Sequence, residues 1–447
     1  MVLTRSYCST KCQKLDWRRH RVNCGQTDQI NLEEFYPFLS WMHASSHVMM
    51  PIKPPHPALM ARIVNNPGVP ATQLPDGSWA RLFELDDTQP MSPMILLNPM
   101  KWFSRAQSPK VARKLFRRIT YSGYQLPILT AIATAIFTEM YTTTSGAEAP
   151  GDRRIRLRYR SVPISDFGIA VGSVKVAPQD RLAFRKKSDG SIIRGQDPDD
   201  HYWIYFTTAK GEEIILECGM FPFNMCGVVD TDPYVPPNMP TYPEADVRIG
   251  YAPSLLIERV IRKGTPTLHT ERKRLSILRN PQLHRAVKVF AKTYIEDLDD
   301  GVPPTAAELK PFYNYMEALS RRPLNITEKH MFRNLASIHG FSMHYILCQC
   351  NQEWRNFPKE PQLGIEYDAS EMDISNGENT LTGIVPRRMR GWNEAIYGYG
   401  WVLTVIVALG FWRSSSVFAF IEAIGGLLLA PIYVMINFAS YLLGMLM

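Results

Sequence analysis

The chain has 447 residues, of which 45% are hydrophobic and 21% charged, which is enough to bury a sizeable core in two or three domains. This composition excludes a wholly disordered adaptor. The formal net charge of +8 favours acidic proteins, anionic membrane surfaces or nucleic acid as partners, without choosing among them.

The cysteine content indicates a reducing compartment. The chain holds seven cysteines, an odd number, and three of them lie within the first 24 residues. The other four, Cys218, Cys226, Cys348 and Cys350, are too sparse for the disulfide framework of a secreted domain. The N-terminus is polar and basic without an apolar stretch, so no secretory signal peptide is predicted.

Four potential metal ligands lie in the N-terminal segment: Cys8, Cys12, His20 and Cys24, spaced C-x3-C-x7-H-x3-C. The two cysteines are one helical turn apart, and so are the His and the last Cys, so the four side chains can converge on one tetrahedral Zn2+. Nearby lysines and arginines outnumber the single acid, Asp16, and lower the thiol pKa values toward the thiolate form. The alternative is a short basic helix with incidental cysteines.

Residues 7–24 resemble the second half of a MYND zinc finger, in their Tyr-Cys-Ser, Cys-Gln and Asp-Trp runs and in the ligand spacing. The resemblance implies Zn2+ binding and the capture of proteins through short, often proline-containing peptides, with Trp17 as an aromatic platform. A full finger of this family has eight ligands in two interleaved sites, and the first four are absent here. Either the four ligands form one Cys3His site, or the chain begins inside a finger whose first half was lost from the gene model. We predict one Zn2+ per chain.

The central region, residues 29–380, is predicted to be an α+β domain, with its sheet mostly within residues 70–230 and its helices mostly within 250–350. Early helices are predicted over 30–49, from His56 onward, from Pro109 through Arg118 with Ser108 as N-cap, and over the uncharged stretch 121–137. A Pro-Asp-Gly-Ser turn at 75–78 leads into a strand.

A basic strand is predicted after residue 153. Arg154, Arg156, Arg158 and Arg160 alternate with apolar residues, which places guanidinium groups on one strand face. Such a face can bind an acidic protein or phosphates. The alternative is an edge strand whose arginines are simply solvated.

Later elements follow turn and capping signals. Strands are predicted at 169–176, 202–208 and 214–218, the last two joined as a hairpin by the Ala-Lys-Gly turn at 209–211, and Asp189-Gly190 marks a second hairpin. Helices are predicted at 253–263, 281–297, 304–321 and 327–350. The segment 360–383 is expected to be a linker.

The C-terminal segment, residues 395–447, is predicted to form one or two transmembrane helices. Residues 395–412 and 423–447 are uncharged runs of 18 and 25 residues. Arg387, Arg388 and Arg390 precede the first run and favour a cytosolic location for the bulk of a membrane-bound protein. The alternatives are a buried helical hairpin or a mistranslated 3′ extension of the gene.

Three features of the sequence bear on an enzyme function. His201 and Cys218 on adjacent strands, with Asp199 and Asp200 nearby, suggest a nucleophilic Cys-His pair, but a buried structural Cys is the commoner case. MYND fingers also occur in SET-type methyltransferases, whose Asn-His-Ser-Cys motif is missing here. A second metal site would combine His339, His344, Cys348 and Cys350, although an apolar helix face explains them more simply.

The sequence thus predicts an α+β protein with a truncated MYND-like zinc finger at residues 1–28 and a C-terminal transmembrane hairpin. Its expected function is a membrane-tethered adaptor for protein-protein interaction, with Zn2+ as cofactor. No catalytic residue is assigned. The alternatives are an enzyme with its active site in the central domain, or a nucleic-acid-associated regulator.

Overall fold

A computed structural model describes ten ranges of the central region. They are residues 29–49, 52–68, 70–88, 99–141, 156–225, 227–236, 250–259, 268–296, 304–349 and 357–361. The N-terminal ligand motif, most of the predicted linker and both apolar C-terminal runs lie outside the described residues. No helix among the described residues is both long and apolar enough to cross a membrane.

Strands and helices are mixed along the chain, which confirms the predicted α+β class. The strands are β1 Gln29–Asn31, β2 Arg62–Ile63, β3 Thr72–Gln73, β4 Trp79–Asp86, β5 Arg156–Tyr159, β6 Val162–Val174, β7 Leu182–Lys186, β8 Ile192–Arg194, β9 His201–Thr208, β10 Glu213–Glu217, β11 Val228–Asp230, β12 Tyr251–Pro253, β13 Leu255–Glu258 and β14 His269–Ser276. The α-helices are α1 Leu32–Val48, α2 Pro99–Trp102, α3 Pro109–Thr120, α4 Gln125–Tyr141, α5 Pro281–Glu296, α6 Ala306–Leu319 and α7 Ile326–His344.

The larger sheet has seven strands in the order β1-β5-β6-β9-β10-β13, with β14 also paired to β6. The smaller sheet runs β2-β4-β7-β8, with β3 on β4, and β11 pairs with β12 separately. The predicted hairpin is confirmed, since β9 and β10 are antiparallel and Gly211 in their turn has a φ of 83°. Gly190, with a φ of 69°, likewise turns β7 into β8.

The main core lies between one face of the larger sheet and the helices. Helix α4 is buried along most of its length and packs on α7, α5 and β9. Alternate residues of β9, such as Ile204 and Phe206, join this core, whereas Trp203 and Tyr205 join a small cluster on the opposite face. The two faces of β9 therefore meet different surroundings.

Strand β14 lies on β6 because β6 carries glycine where the two backbones approach. A Cβ at Gly172 would overlap the backbone oxygen of Thr270 in β14. The pairing also contains a bulge between Glu271 and Lys273. This contact brings a strand from late in the chain against the middle of the sheet.

Several local predictions are confirmed. Helix α1 covers the predicted segment 30–49, and α3 begins after Ser108, whose side chain accepts a hydrogen bond from Val111 N. The buried stretch 121–137 corresponds to α4, and β4 follows the predicted turn, where Gly77 has a φ of 84°.

Two predicted helices are wrong. The segment after His56 is a short 3-10 turn, Pro57–Leu59, followed by β2, because the chain pairs with β4 after the turn. The described part of the predicted helix 253–263 begins with a helix-like Pro-Ser-Leu-Leu pattern, but it contains the end of β12 and the whole of β13, Leu255–Glu258, which pairs with β10. Ladder hydrogen bonds to an existing sheet override a weak local helix preference.

Candidate functional site

The predicted finger ligands Cys8, Cys12, His20 and Cys24 lie outside the described residues. The central domain contains a different group of potential ligands. Within the described residues, a single group of three or more His, Cys, Asp or Glu side chains has its ligand atoms all within 4.8 Å of one another. Its members are His201, Glu217 and His269, called the buried triad below.

The buried triad converges on one carboxylate oxygen. Glu217 Oε2 lies 2.9 Å from His201 Nε2 and 2.5 Å from His269 Nε2. The other carboxylate oxygen, Oε1, accepts a hydrogen bond from Gly219 N at 2.6 Å. The side chains of His201, Glu217 and His269 are 0%, 1% and 6% exposed.

Strand geometry explains how three distant residues meet. His201 begins β9, Glu217 ends β10 and His269 begins β14. In the β9–β10 ladder, Ile204 pairs with Leu216, and the two-residue alternation then puts Glu217 on the face that carries His201 and Trp203. Strand β14 adds His269 to the same face from the other side of β6.

Aromatic rings and one glycine enclose the buried triad. The Trp203 ring centroid lies 4.9 Å from that of His269, and the Phe223 ring centroid lies 6.0 Å from that of His201. A Cβ at Gly219 would lie 2.7 Å from His201 Cε1, so a larger residue there would displace the imidazole. The buried triad is thus a small group of polar side chains in apolar surroundings.

The electrostatics of the buried triad depend on the histidines. Burial alone would raise the pKa of Glu217, but the two adjacent imidazoles outweigh it and hold that pKa below its ordinary range. Among the described residues no Lys or Arg forms an ion pair with this carboxylate. His201 Nδ1 is buried and has no hydrogen-bond partner in the described part of the chain.

The hairpin does not bring Cys218 and His201 together as a nucleophilic pair. Cys218 follows Glu217 and therefore lies on the opposite face, within the main core. Burial raises the pKa of its thiol well above the ordinary value, and the Glu217 charge adds to the effect. Asp200 accepts a hydrogen bond from Tyr202 Oη at 2.8 Å instead of orienting His201. These surroundings suit a structural cysteine, and the partner of His201 is Glu217.

The residues considered for a second metal site on the last helix have separate partners. His339 Nε2 lies 2.9 Å from Ser46 Oγ, and His344 Nδ1 lies 3.0 Å from Glu139 Oε2. His339 is buried in the helical core, as an apolar helix face requires. The side chain of Cys348 and the whole of Cys350 are outside the described residues.

A second group of buried polar residues joins α1 to α4. His43 Nε2 lies 2.8 Å from Gln125 Oε1, and Lys53 Nζ lies 2.7 Å from His47 Nδ1. Lys53 also donates to the backbone oxygen of Thr120. Burial lowers the pKa of Lys53 to about 7, and that of His43 to about 4. His43 is therefore neutral near pH 7, whereas Lys53 changes its charge in that range.

A polar cleft of about 210 Å³ opens beside this group. Its lining includes His56, Gln125, Arg194, Asp200, Arg322 and Glu328. Gln125 also approaches the buried triad, since its Cδ is 3.5 Å from the ideal Cβ position at Gly219. Gln125 therefore lines the cleft and also approaches His201, whose Cε1 lies 2.7 Å from the same Cβ position.

The predicted alternation of arginines and apolar residues in β5 is confirmed for residues 157–159. Leu157 and Tyr159 are buried in alternation, and Arg158 between them is half-buried. The alternative of an edge strand is wrong, because β5 lies between β1 and β6. Arg160 lies in the turn after β5, with a φ of 53°, and forms ion pairs with Glu33 and Glu258 at 3.1 and 2.7 Å. Arg154 and the side chain of Arg156 are outside the described residues.

Comparison with known proteins gives one match. The MYND finger family model matches residues 3–24, which contain all four predicted finger ligands. No curated protein and no solved structure matches the chain. A partial MYND finger segment is therefore present at the N-terminus, and it indicates zinc binding and protein interaction.

Sequence reasoning missed Glu217 and His269. Glu217 was detectable in principle, because it interrupts the run Ile-Ile-Leu-Glu-Cys at a position where a buried strand rarely holds an unpaired charge. His269 gave no such signal. Its position depends on the pairing of β14 with β6, between segments about a hundred residues apart in sequence.

Proposed function

We propose that this protein is a zinc-finger interaction protein, held at a membrane by its C-terminal apolar runs, with the finger and central domain on the cytosolic side. The match of residues 3–24 to the MYND finger, at metal-ligand spacing, is the observation that carries the proposal. One Zn2+ is held by Cys8, Cys12, His20 and Cys24. Thiolates and an imidazole in this pattern are the ordinary ligands of structural zinc.

The proposed ligand of the finger is a short proline-containing peptide. Trp17 supplies a flat aromatic surface of the type on which proline rings pack, and the basic residues 18, 19 and 21 favour a peptide with acidic neighbours. A pre-extended proline segment loses little conformational entropy on binding. The central domain then serves as the folded body that separates the finger from the membrane.

Binding to a panel of proline-containing peptides tests the proposal on full-length protein in detergent. Trp17→Ala should lower affinity by about tenfold or more, as expected for an aromatic anchor. Trp79→Ala is the matched control, because Trp79 is a tryptophan 46% exposed on the central domain, outside the finger. Equal affinities of both variants for every peptide, or no peptide binding by the wild type, would contradict the proposal.

The zinc assignment has its own test. Cys12→Ala should lose the finger-bound zinc and the peptide binding together, because a structural zinc supplies the folding free energy of its small module. The main unfolding transition of the central domain should keep its midpoint. A shifted main transition would show that the finger and the central domain fold as one unit.

A second candidate function is an enzyme with its active site in the central domain. The polar cleft favours it, because His56, Arg194, Asp200, Arg322 and Glu328 bring titratable groups of both signs to one opening. The four charged residues among them already have partners, since Arg322 Nη2 lies 2.6 Å from Glu328 Oε1. Arg194 forms an ion pair with Asp76, and Asp200 Oδ1 lies 3.8 Å from Arg272 Nη2. Ligand-dependent stabilisation by small zwitterionic metabolites, lost in Arg194→Ala, would support this function over a purely structural role of the central domain.

A further inference from the structure

We propose that the buried triad, His201, Glu217 and His269, binds a divalent transition-metal ion inside the central domain, separately from the zinc of the finger. The ligand set is two imidazoles and one carboxylate, without sulfur. Such a set suits zinc or iron(II) and leaves coordination positions for water or a substrate. This inference is independent of the function proposed for the finger.

The distances fit a common ligation point. All three ligand atoms lie within 4.8 Å of one another, and both imidazole Nε2 atoms face Glu217 Oε2. Ligands about 2.0–2.2 Å from one ion are themselves about 3 Å apart, so small shifts of the side chains would admit the ion. A neutral imidazole can offer its Nε2 lone pair once its proton resides on Nδ1.

The charge balance supports an ion at this point. Glu217 is 1% exposed, and among the described residues it has only His201 and His269 as ion-pair partners. A carboxylate removed from solvent is costly to bury, so a positive charge must compensate it. A divalent cation bound at this point would supply that charge, with Glu217 Oε2 and one ring nitrogen each of His201 and His269 as its ligands.

The surroundings hold the ligands in place. Glu217 Oε1 accepts from Gly219 N, which orients the carboxylate and leaves Oε2 directed at the histidines. Three ligands from three strands of one sheet have little freedom to separate. Gln125, which lines the cleft, has its Cδ 3.5 Å from the ideal Cβ position at Gly219, next to His201.

Metal binding by the finger must be removed before the second ion can be measured. Full-length protein carrying Cys8→Ala, Cys12→Ala and Cys24→Ala together is stripped with a chelator and then titrated with Co2+. This background should bind one Co2+ per chain and show visible bands of nitrogen and oxygen ligation, without the thiolate-to-cobalt absorption that the finger adds in wild-type protein.

Two conservative variants in that background identify the site. Glu217→Gln and His269→Gln should each weaken Co2+ binding by about tenfold to a hundredfold or more, as loss of a metal ligand requires. His339→Gln is the matched control, a buried histidine on another element, and should bind Co2+ like the parent. Circular dichroism of each variant shows whether the fold is kept.

The outcomes separate a metal centre from a hydrogen-bonded cluster. The site is established if the parent without finger cysteines binds Co2+, Glu217→Gln and His269→Gln lose that binding, and His339→Gln keeps it. This result would hold even if the finger binds no peptide. A folded parent that binds no Co2+ or Zn2+ above background overturns the proposal. Equal binding in all three variants overturns it as well, because the ion would then lie elsewhere.

Discussion

Buried neutral histidines make the central domain sensitive to acid. His339 is 1% exposed, and burial lowers its pKa to about 3, with the nearby His43 adding to the effect. Its unfolded-state pKa is ordinary, so below about pH 6.5 the unfolded chain binds a proton that the folded protein does not. This contribution therefore destabilises the fold as pH falls from that value toward the folded-state pKa.

His339→Gln removes this titration and keeps a polar partner for Ser46. The free energy of unfolding of the variant relative to wild type should rise by about 2 kcal/mol between about pH 7.5 and about pH 5. Urea unfolding at a series of pH values measures it, and the common contribution of His43 cancels in the difference. Parallel pH curves for the two proteins would show that His339 is protonated in the folded state too.

Single residues also show where sequence reasoning stops. Cys218 and His201 were expected on adjacent strands; His201 begins β9, and Cys218 directly follows the end of the neighbouring strand β10. Whether two side chains can interact depends on the sheet face that each one occupies. The ladder register places Glu217, and not Cys218, on the face of His201. A shift of register by one residue would reverse that choice, so the hairpin alone could not predict the pair.

Secondary-structure elements with strong local signals were predicted well. Helix α3 has Ser108 as its N-cap and Pro109 as its first residue, so its start is fixed by local chemistry. Strand β14 has no comparable signal, and its sequence, His-Thr-Glu-Arg-Lys-Arg-Leu-Ser, is too charged to indicate a strand within a large sheet. Pairing with β6 at its glycine positions determines its place, and this long-range contact cannot be deduced from the local pattern.

Gly172→Ala should detach β14 from β6, because the new Cβ would overlap the backbone oxygen of Thr270. A backbone atom cannot rotate away from the overlap as the end of a flexible side chain can. We expect a loss of about 2 kcal/mol or more in the free energy of unfolding. Amide hydrogen exchange should be faster in residues 269–276 than in β9 and β10.

Gly68→Ala is the matched control for this substitution, because no atom lies within 4 Å of its ideal Cβ position. It should leave both stability and exchange unchanged. If β14 amides in Gly172→Ala stay as protected as in wild type, the close approach of the two strands is not required for their pairing. A weaker Co2+ affinity in Gly172→Ala would follow from the displaced His269.

At the scale of the whole molecule, the finger and the buried triad differ in how far the local sequence predicts them. The finger could be recognised from 22 matched residues because its ligand spacing is a local property. The buried triad could not, because its three members come from positions 201, 217 and 269 and meet only after the sheet has formed. Local motifs and assembled sites thus demand different observations within one protein.

The membrane hairpin is the expectation that concerns the molecule as a whole. Residues 395–412 would span about 27 Å as a helix, near the thickness of a bilayer core, and residues 423–447 are longer. Arg387, Arg388 and Arg390 favour the cytosolic side for the approach to the first span, so two spans would return Met447 to that side. The full chain should therefore remain in the membrane fraction after alkaline extraction, and truncation before Ala395 should release it.

Protease protection of a C-terminal tag in sealed vesicles determines the number of spans. Two spans leave the tag digestible from the cytosolic side, together with the finger, whereas a single span protects the tag and leaves the finger digestible. Arg413 and the three serines after it form the short polar connection that the two-span arrangement needs. Release of the full chain by alkaline extraction would instead rule out membrane tethering, since neither uncharged run would then be embedded in lipid.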